Sequence, residues 1–399
     1  MFDFWSAIEE ARICVTKSCL MASRSKSPLE VCIAPDCDGS SNLKYTMLSL
    51  QKFLANNKYF NYNGRVDRQN ALAPSLGYPG TSIEFKFVGT KLQIELEEDG
   101  WGSENYVDVY LDDNPQPVTI KLQQNNGEPI VYDVAAGLEN KTHNVVIYKR
   151  NDYSTGEFKF HGVLIDGQLL PPNPDSQRRI EVYGDSISAG IAVEHPVTGV
   201  ADPEGDTSSI SNAYYSYGAI LARKYDAEVS LIAQAGISLV NGFGYWNTFW
   251  NNGTGGEAIY DKVKPLPDAP VWNFNNYSPD LVIMAYGQND SATVGDSLSS
   301  EEWKQRYKQA IANIRAKHPD AYFIAMFPAM FHDRQWDEYL TEAIAEYRTE
   351  YNDDRVFSLI HEQVTPGHPR IQEQEAMADT LQKFIDTTLT ENGFSWDLN

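Results

Sequence analysis

Four short blocks of this chain carry residues that could make and break an ester bond, and each lies just beyond an apolar run. Gly184-Asp185-Ser186 closes the run Ile180–Tyr183, Gly236 follows Val229–Ala233, and Gly287-Gln288-Asn289-Asp290 follows Leu281–Tyr286. His368-Pro369 comes after the run Val356–Ile360. Nucleophilic acyl transfer needs a base within reach of a hydroxyl and donors aimed at the oxygen that becomes negative. Ser186 is the expected nucleophile and His368 the base that takes its proton and returns it to the leaving alcohol. The N–H of Ser186, the N–H of Gly236 and the side-chain amide of Asn289 form the expected oxyanion hole. Glycine suits the second position because its backbone can approach a substrate closely.

These residues can meet only if the runs are parallel strands, whose carboxyl ends share one edge of a sheet. The second half of the chain has that grammar. Five apolar runs, the fourth being Tyr322–Phe327, are separated by amphipathic segments, as in a parallel sheet covered on both faces. One helix is expected to start at Ser299, with Glu302 completing a capping box, and to bury the stripe Trp303, Tyr307, Ile311 and Ile314. The first half alternates apolar and polar residues instead. Ile83, Phe85 and Phe87, then Leu92, Ile94 and Leu96, are read as a hairpin turning at Gly89-Thr90. Further strands around Val107, Val118, Val145 and Phe158 predict an antiparallel β-sandwich, closed by Leu169-Leu170-Pro171-Pro172-Asn173-Pro174. The expected organisation is a leader over 1–60, a β-sandwich over 61–172 and an α/β domain over 173–399.

The formal net charge of -23 over 399 residues excludes nucleic acid as a natural partner, because phosphate backbones bind basic surfaces. No run of eighteen apolar residues predicts a membrane span, and the first thirty residues lack a secretory apolar core. As it stands the sequence reads as soluble and cytoplasmic. Cys14, Cys19, Cys32 and Cys37 repeat a C-x4-C spacing. Zinc and two disulfides are both open, but structural zinc favours tighter pairs, so a leader outside the chemistry is expected, with Met21 or Met47 as alternative starts.

The four blocks, in this order, resemble those of the SGNH (GDSL-type) hydrolases. With the preceding sandwich, the Gly64-Arg65-Val66-Asp67 opening and the Leu169-Leu170-Pro171-Pro172 junction, residues 62–390 resemble carbohydrate esterase family two, bacterial acetyl esterases acting on plant polysaccharides. The resemblance implies a jelly-roll domain followed by a flavodoxin-like α/β/α SGNH domain with a parallel sheet. It implies a serine esterase that removes O-acetyl groups from xylan- or glucomannan-type carbohydrate with no cofactor and no metal. It also favours export if the true start differs. Oligomeric state is left open.

One position departs from the pattern. SGNH hydrolases carry an aspartate three residues before the histidine, and here that residue is Thr365. The resemblance implies a Ser-His dyad with a backbone carbonyl in the acid's role, as in some family-two members, and Glu362 is a second substitute. Of the remaining histidines, His143, His161 and His318 are expected to be structural, whereas His195, His332 and His361 fall near the catalytic edge. A long segment before the third strand carries Tyr245, Trp246, Phe249, Trp250, Trp272, Phe274 and Tyr277 among asparagines, and aromatic faces beside amides suit sugar rings. Trp246, Trp250, Trp272 and Tyr286 are the substrate-binding candidates. The rival functions are a non-catalytic carbohydrate-binding protein and a lipase or thioesterase of the same fold.

Overall fold

A computed structural model describes residues 49–100, 104–112, 114–248 and 253–396. The four cysteines, and the zinc, disulfide and leader expectations with them, lie outside the described residues. The first ten strands are β1 (Gln51–Leu54), β2 (Asn61–Asn63), β3 (Val66–Asp67), β4 (Ser75–Leu76), β5 (Ser82–Asp99), β6 (Tyr106–Leu111), β7 (Val118–Lys121), β8 (Ile130–Lys149), β9 (Glu157–Ile165) and β10 (Gln168–Leu170). They pair in the order β3-β4-β9-β5-β8-β6-β7, with β1 on β9 and both β2 and β10 on β5. Every pairing is antiparallel. Pairing of Gln51 with Ile165 starts this region ten residues before position 61.

The hairpin expected at Gly89-Thr90 is not there. β5 runs straight through, pairing with β8 from Ser82–Tyr148 to Leu96–Ile130, with register shifts between Gly89 and Lys91 and between Leu92 and Gln93. The alternation had signalled this: inward residues are odd-numbered at Ile83, Phe85 and Phe87 and even-numbered at Leu92, Ile94 and Leu96, all of them buried. A bulge absorbs that single step without reversing the chain. The Asp166 carboxylate accepts hydrogen bonds from the Thr90 and Lys91 amides at 2.7 and 3.0 Å and so satisfies the donors that the bulge frees.

The five runs of the second half form β11 (Arg179–Gly184), β12 (Glu228–Ala233), β13 (Leu281–Ala285), β14 (Tyr322–Phe327) and β15 (Val356–Ile360). They make one parallel sheet in the order β12-β11-β13-β14-β15. β11 therefore lies between its two successors, and the crevice beyond its carboxyl end is the switch point where open sheets bind ligands. Helices α1 (Tyr217–Tyr225) and α6 (Ile371–Phe384) cover one face through Tyr217, Leu221, Met377 and Leu381. Between them in sequence come the short α2 (Gly256–Ile259) and α3 (Gln288–Thr293), then α4 (Ser300–Arg315) and α5 (Gln335–Tyr351). The last two cover the opposite face. The Ser299 hydroxyl caps α4 by accepting from the Glu302 amide at 3.2 Å, and Trp303, Tyr307, Ile311 and Ile314 are buried as the period requires. The architecture is thus an antiparallel β region followed by a parallel α/β domain.

A buried ionic cluster joins the two regions. Arg65, from the loop before β3, donates to Glu181 on β11 at 3.0 Å, to the Tyr183 hydroxyl at 2.8 Å, and to the Tyr260 and Lys262 carbonyls at 2.6 and 3.1 Å. His318 reaches the other Glu181 oxygen at 2.9 Å. Burial by itself would raise the Glu181 carboxyl, but Arg65 and His318 outweigh it and hold it at about 2. A depressed carboxyl stabilises the fold above the ordinary glutamate value, and that contribution fades as pH falls from about 4.5 toward 2. Removing one partner strands a buried charge. Arg65→Met should therefore cost about 3–5 kcal/mol of unfolding free energy in urea titrations; a loss under about 1 kcal/mol would show that the cluster does not join the regions.

Candidate active site

The serine turn is built by its own neighbours. Asp185 Oδ1 accepts from the Ile187 amide at 3.0 Å, and the Ser186 carbonyl accepts from the Ile191 amide at 3.0 Å, so the chain turns sharply as it leaves β11. Ser186 Oγ then lies 2.7 Å from His368 Nε2. His368 Nδ1 lies 2.6 Å from Oδ2 of Asp202, a residue in the long connection between β11 and α1. Asp202 is tied on every side. It accepts from the His368 amide at 3.1 Å through Oδ1 and from the Arg370 guanidinium at 2.8 Å. Partial burial would raise its carboxyl, yet His368 and Arg370 hold it well below the usual aspartate range. An anionic Asp202 fixes the Nδ1–H tautomer and leaves the Nε2 lone pair facing the serine hydroxyl.

Gly367 allows the two loops to meet: a Cβ there would stand 2.8 Å from the Asp202 nitrogen and the Val200 carbonyl oxygen. Thr365, at the position where the resembling family has its acid, does not face the imidazole. Its hydroxyl donates to the Ala329 carbonyl at 3.0 Å or to that of Gly367, and its backbone pairs with the segment after β14. Glu362 is exposed. The acid on the imidazole is Asp202, so the dyad with a backbone carbonyl is not the arrangement found. Thr365→Ala should leave kcat within about threefold of wild type, since only a loop hydrogen bond is lost; a thousandfold fall would assign the threonine to the machinery.

The sheet register sets the oxyanion donors beside the serine. Gly184 is paired with Ala233 on one side and Ala285 on the other, so Ser186, Gly236 and Asn289 leave adjacent strands at the same edge. Gly236 has φ +75°, in the region that favours glycine, and its carbonyl accepts from the Tyr245 and Trp246 amides at 2.7 and 3.1 Å. Neither the Ser186 nor the Gly236 N–H has a hydrogen-bond partner among the described residues. Asn289 Nδ2 donates one hydrogen to the Ile237 carbonyl at 2.9 Å, which orients the amide and leaves its second hydrogen for a substrate. Asp290 beside it accepts from the Leu239 and Val240 amides at 2.8 and 3.2 Å. Burial pushes the Asp290 carboxyl up to about 6 and that of Asp185 to about 7.

A base-paired serine beside converging free N–H groups is an acyl-transfer arrangement, and the comparisons with known proteins agree with it. Residues 62–174 match the carbohydrate esterase 2 N-terminal family and residues 182–375 the GDSL-like lipase/acylhydrolase family. The two matches follow one another along the chain, the first over the antiparallel region and the second over the parallel domain. It is 28% identical to the cellulase/esterase CelE of Acetivibrio thermocellus over 82% of its own length, spanning 39% of that longer protein. It is 27% identical to the acetylxylan esterase / glucomannan deacetylase of Cellvibrio japonicus, over 86% of this chain and 92% of the relative. A solved family-two carbohydrate esterase from Clostridium thermocellum, in complex with cellohexaose, superposes with a TM-score of 0.73 at 26% identity, covering 83% of this chain and 99% of the other.

Not every aromatic candidate reaches this site. Trp246 does, half-buried against the Gly236 carbonyl, with Nε1 donating to the Pro265 carbonyl at 2.9 Å and its ring edge-on to Tyr153. Trp250 lies outside the described residues. Trp272 lines a cavity of about 430 Å³ with Arg179 and Glu228, the first residues of β11 and β12, so it sits at the opposite edge of the sheet from Ser186. The segment has by then travelled back to enter β13 at Leu281. Tyr286 is 1% exposed and packs beneath Gly256, where an added Cβ would meet its ring at 2.5 Å. It is core, not a sugar contact.

Besides Asp202, sequence reasoning missed Phe331, and it named Tyr245 in the aromatic segment without making it a binding candidate. Tyr245, 62% exposed, follows directly on the Gly236 loop, and Phe331, 71% exposed, bonds through its amide to the Thr365 carbonyl beside the histidine loop. Phe331 follows β14, so the strand-end rule that found the other residues would have reached it. The histidines near the edge have other work. His332 joins Asp337 at 2.9 Å and the Met330 carbonyl at 2.7 Å, His195 bonds to Val197, and burial pushes His361 down to about 4. Among the described residues no group of three or more His, Cys, Asp and Glu could hold a metal ion, and no helix is long and apolar enough to cross a membrane.

Proposed function

We propose that this chain removes O-acetyl groups from carbohydrate, with Ser186 as nucleophile, His368 as general base and acid, and Asp202 as the orienting acid. The observation that carries the reading is the unbroken relay from Ser186 Oγ through His368 to Asp202, with 2.7 and 2.6 Å links, beside two N–H groups free of partners among the described residues. In the first half-reaction Ser186 Oγ bonds to the acetyl carbonyl carbon as its proton passes to Nε2. The oxyanion is held by the N–H groups of Ser186 and Gly236 and the Asn289 amide. Collapse breaks the bond to the sugar oxygen, which takes the proton from Nε2 and leaves as an alcohol. Water then attacks the acetyl-serine by the same proton path and releases acetate.

Carbohydrate as the acyl carrier is supported by the exposed Tyr245 and Phe331, bonded through their amides to the Gly236 and Thr365 carbonyls, whose flat apolar faces suit sugar rings. The names of the relatives point the same way. Acetate release from acetylated xylan and glucomannan, beside hydrolysis of nitrophenyl acetate and octanoate, tests the reading. Acetate from at least one polysaccharide and a preference for the acetyl ester are expected. Hydrolysis of the octanoate alone would assign a lipase, and carbohydrate binding with no acetate release would assign a binding protein.

A further inference from the structure

The turn after β8, in the antiparallel region, reaches into the machinery of the other domain. Asp152 is 1% exposed, and its Oδ2 accepts from the Ala235 amide at 2.7 Å and from Gln234 Nε2 at 2.7 Å. Gln234 is gripped further: Nε2 donates to Ser154 Oγ at 2.9 Å, and Oε1 accepts from the Tyr153 amide at 3.2 Å. One of the two Nε2 hydrogens is shared with the Ala235 carbonyl at 3.3 Å. That carbonyl and the Gly236 N–H belong to one planar peptide unit and point in opposite directions. Whatever holds the Ala235 oxygen therefore aims the Gly236 hydrogen.

We infer that Asp152 is a positioning residue for catalysis: through Gln234 and Ala235 it orients the peptide plane that presents the Gly236 N–H to the oxyanion, which makes the antiparallel domain part of the esterase machinery. The inference rests on the proposed oxyanion role of Gly236. Its surroundings suit a fixed acceptor. Lys149, buried with the Asn151 and Asp152 carbonyls as partners at 2.9 and 3.4 Å, braces the turn from behind. Neighbouring Arg150 and Asn151 bond to Glu194, Ser208, Ser209 and Ser211, clamping the other side of the turn to the far end of the segment that carries Asp202.

Asp152→Ala and the isosteric Asp152→Asn, with Asn289→Ala alongside, test it on nitrophenyl acetate together with the affinity of methylboronic acid, which forms a tetrahedral adduct on the serine. A misaimed donor weakens only the charged tetrahedral state, so kcat should fall about tenfold to a hundredfold in both Asp152 variants, with KM within about twofold. Boronate affinity should fall by a similar factor while the thermal transition remains cooperative. Wild-type kcat in either folded variant overturns the inference, as does a kcat loss with boronate affinity unchanged. If Asp152→Ala does not fold, Asp152→Asn decides alone. A silent Asp152 with a crippled Asn289→Ala would refute the positioning role and leave the oxyanion hole standing, whereas a fully active Asn289→Ala would refute the Asn289 part of the hole itself.

Discussion

Ser186→Ala and His368→Ala should each lower kcat on an acetyl ester by about a thousandfold or more, with the unfolding transition nearly unchanged. In the proposed mechanism the serine supplies the bond-forming atom and the histidine is the one base bonded to it among the described residues, so neither loss is made up by its neighbours. Oxyanion donors would still bind a carbonyl in both variants, and the residual rate should be similar in the double variant, since groups that act as a unit lose their effect together. Both side chains are surrounded by loops held through other bonds, which is why stability should be spared. Steady-state kinetics and thermal melts of the three variants check this; an alanine variant within tenfold of wild type would remove that residue from the mechanism.

Asp202→Asn should follow with a fall of about a thousandfold to ten-thousandfold in kcat. The asparagine amide can turn its NH₂ toward His368 Nδ1, which selects the tautomer with hydrogen on Nε2 and blocks proton transfer from the serine. Loss of the carboxylate also leaves Arg370, 1% exposed, without its acidic partner at 2.8 Å. A modest drop in melting temperature is expected beside the kinetic loss. Asp202→Glu should recover little, because the carboxylate is fixed by the His368 amide and Arg370 as well as by the ring. A fully active Asp202→Asn enzyme would return the mechanism to a dyad.

Periodicity made the sheet and its edge legible. The five parallel strands, the cap at Ser299 and the placement of Ser186, Gly236, Asn289 and His368 at strand ends all follow from where apolar runs begin and stop. Residues outside any period were not legible. Asp202 sits in a polar loop whose spacing from His368 obeys no rule, and only the unusual length of that connection hinted at a role. Tyr286 was misjudged because one residue past a strand can still point inward, and Trp272 because a long insertion had already crossed to the far edge. The false hairpin at Gly89 came from reading a change of phase as a change of direction. Asp152 belongs to another domain, so no local pattern could tie it to Ala235.

Labelling with a fluorophosphonate, followed by peptide mass spectrometry, addresses the central claim most directly. One adduct per chain is expected, on the peptide carrying Ser186, formed at least about a hundredfold more slowly in His368→Ala and Asp202→Asn because both leave the hydroxyl unactivated. An adduct on another residue, or an unlabelled Ser186 in protein that still releases acetate, would contradict the account.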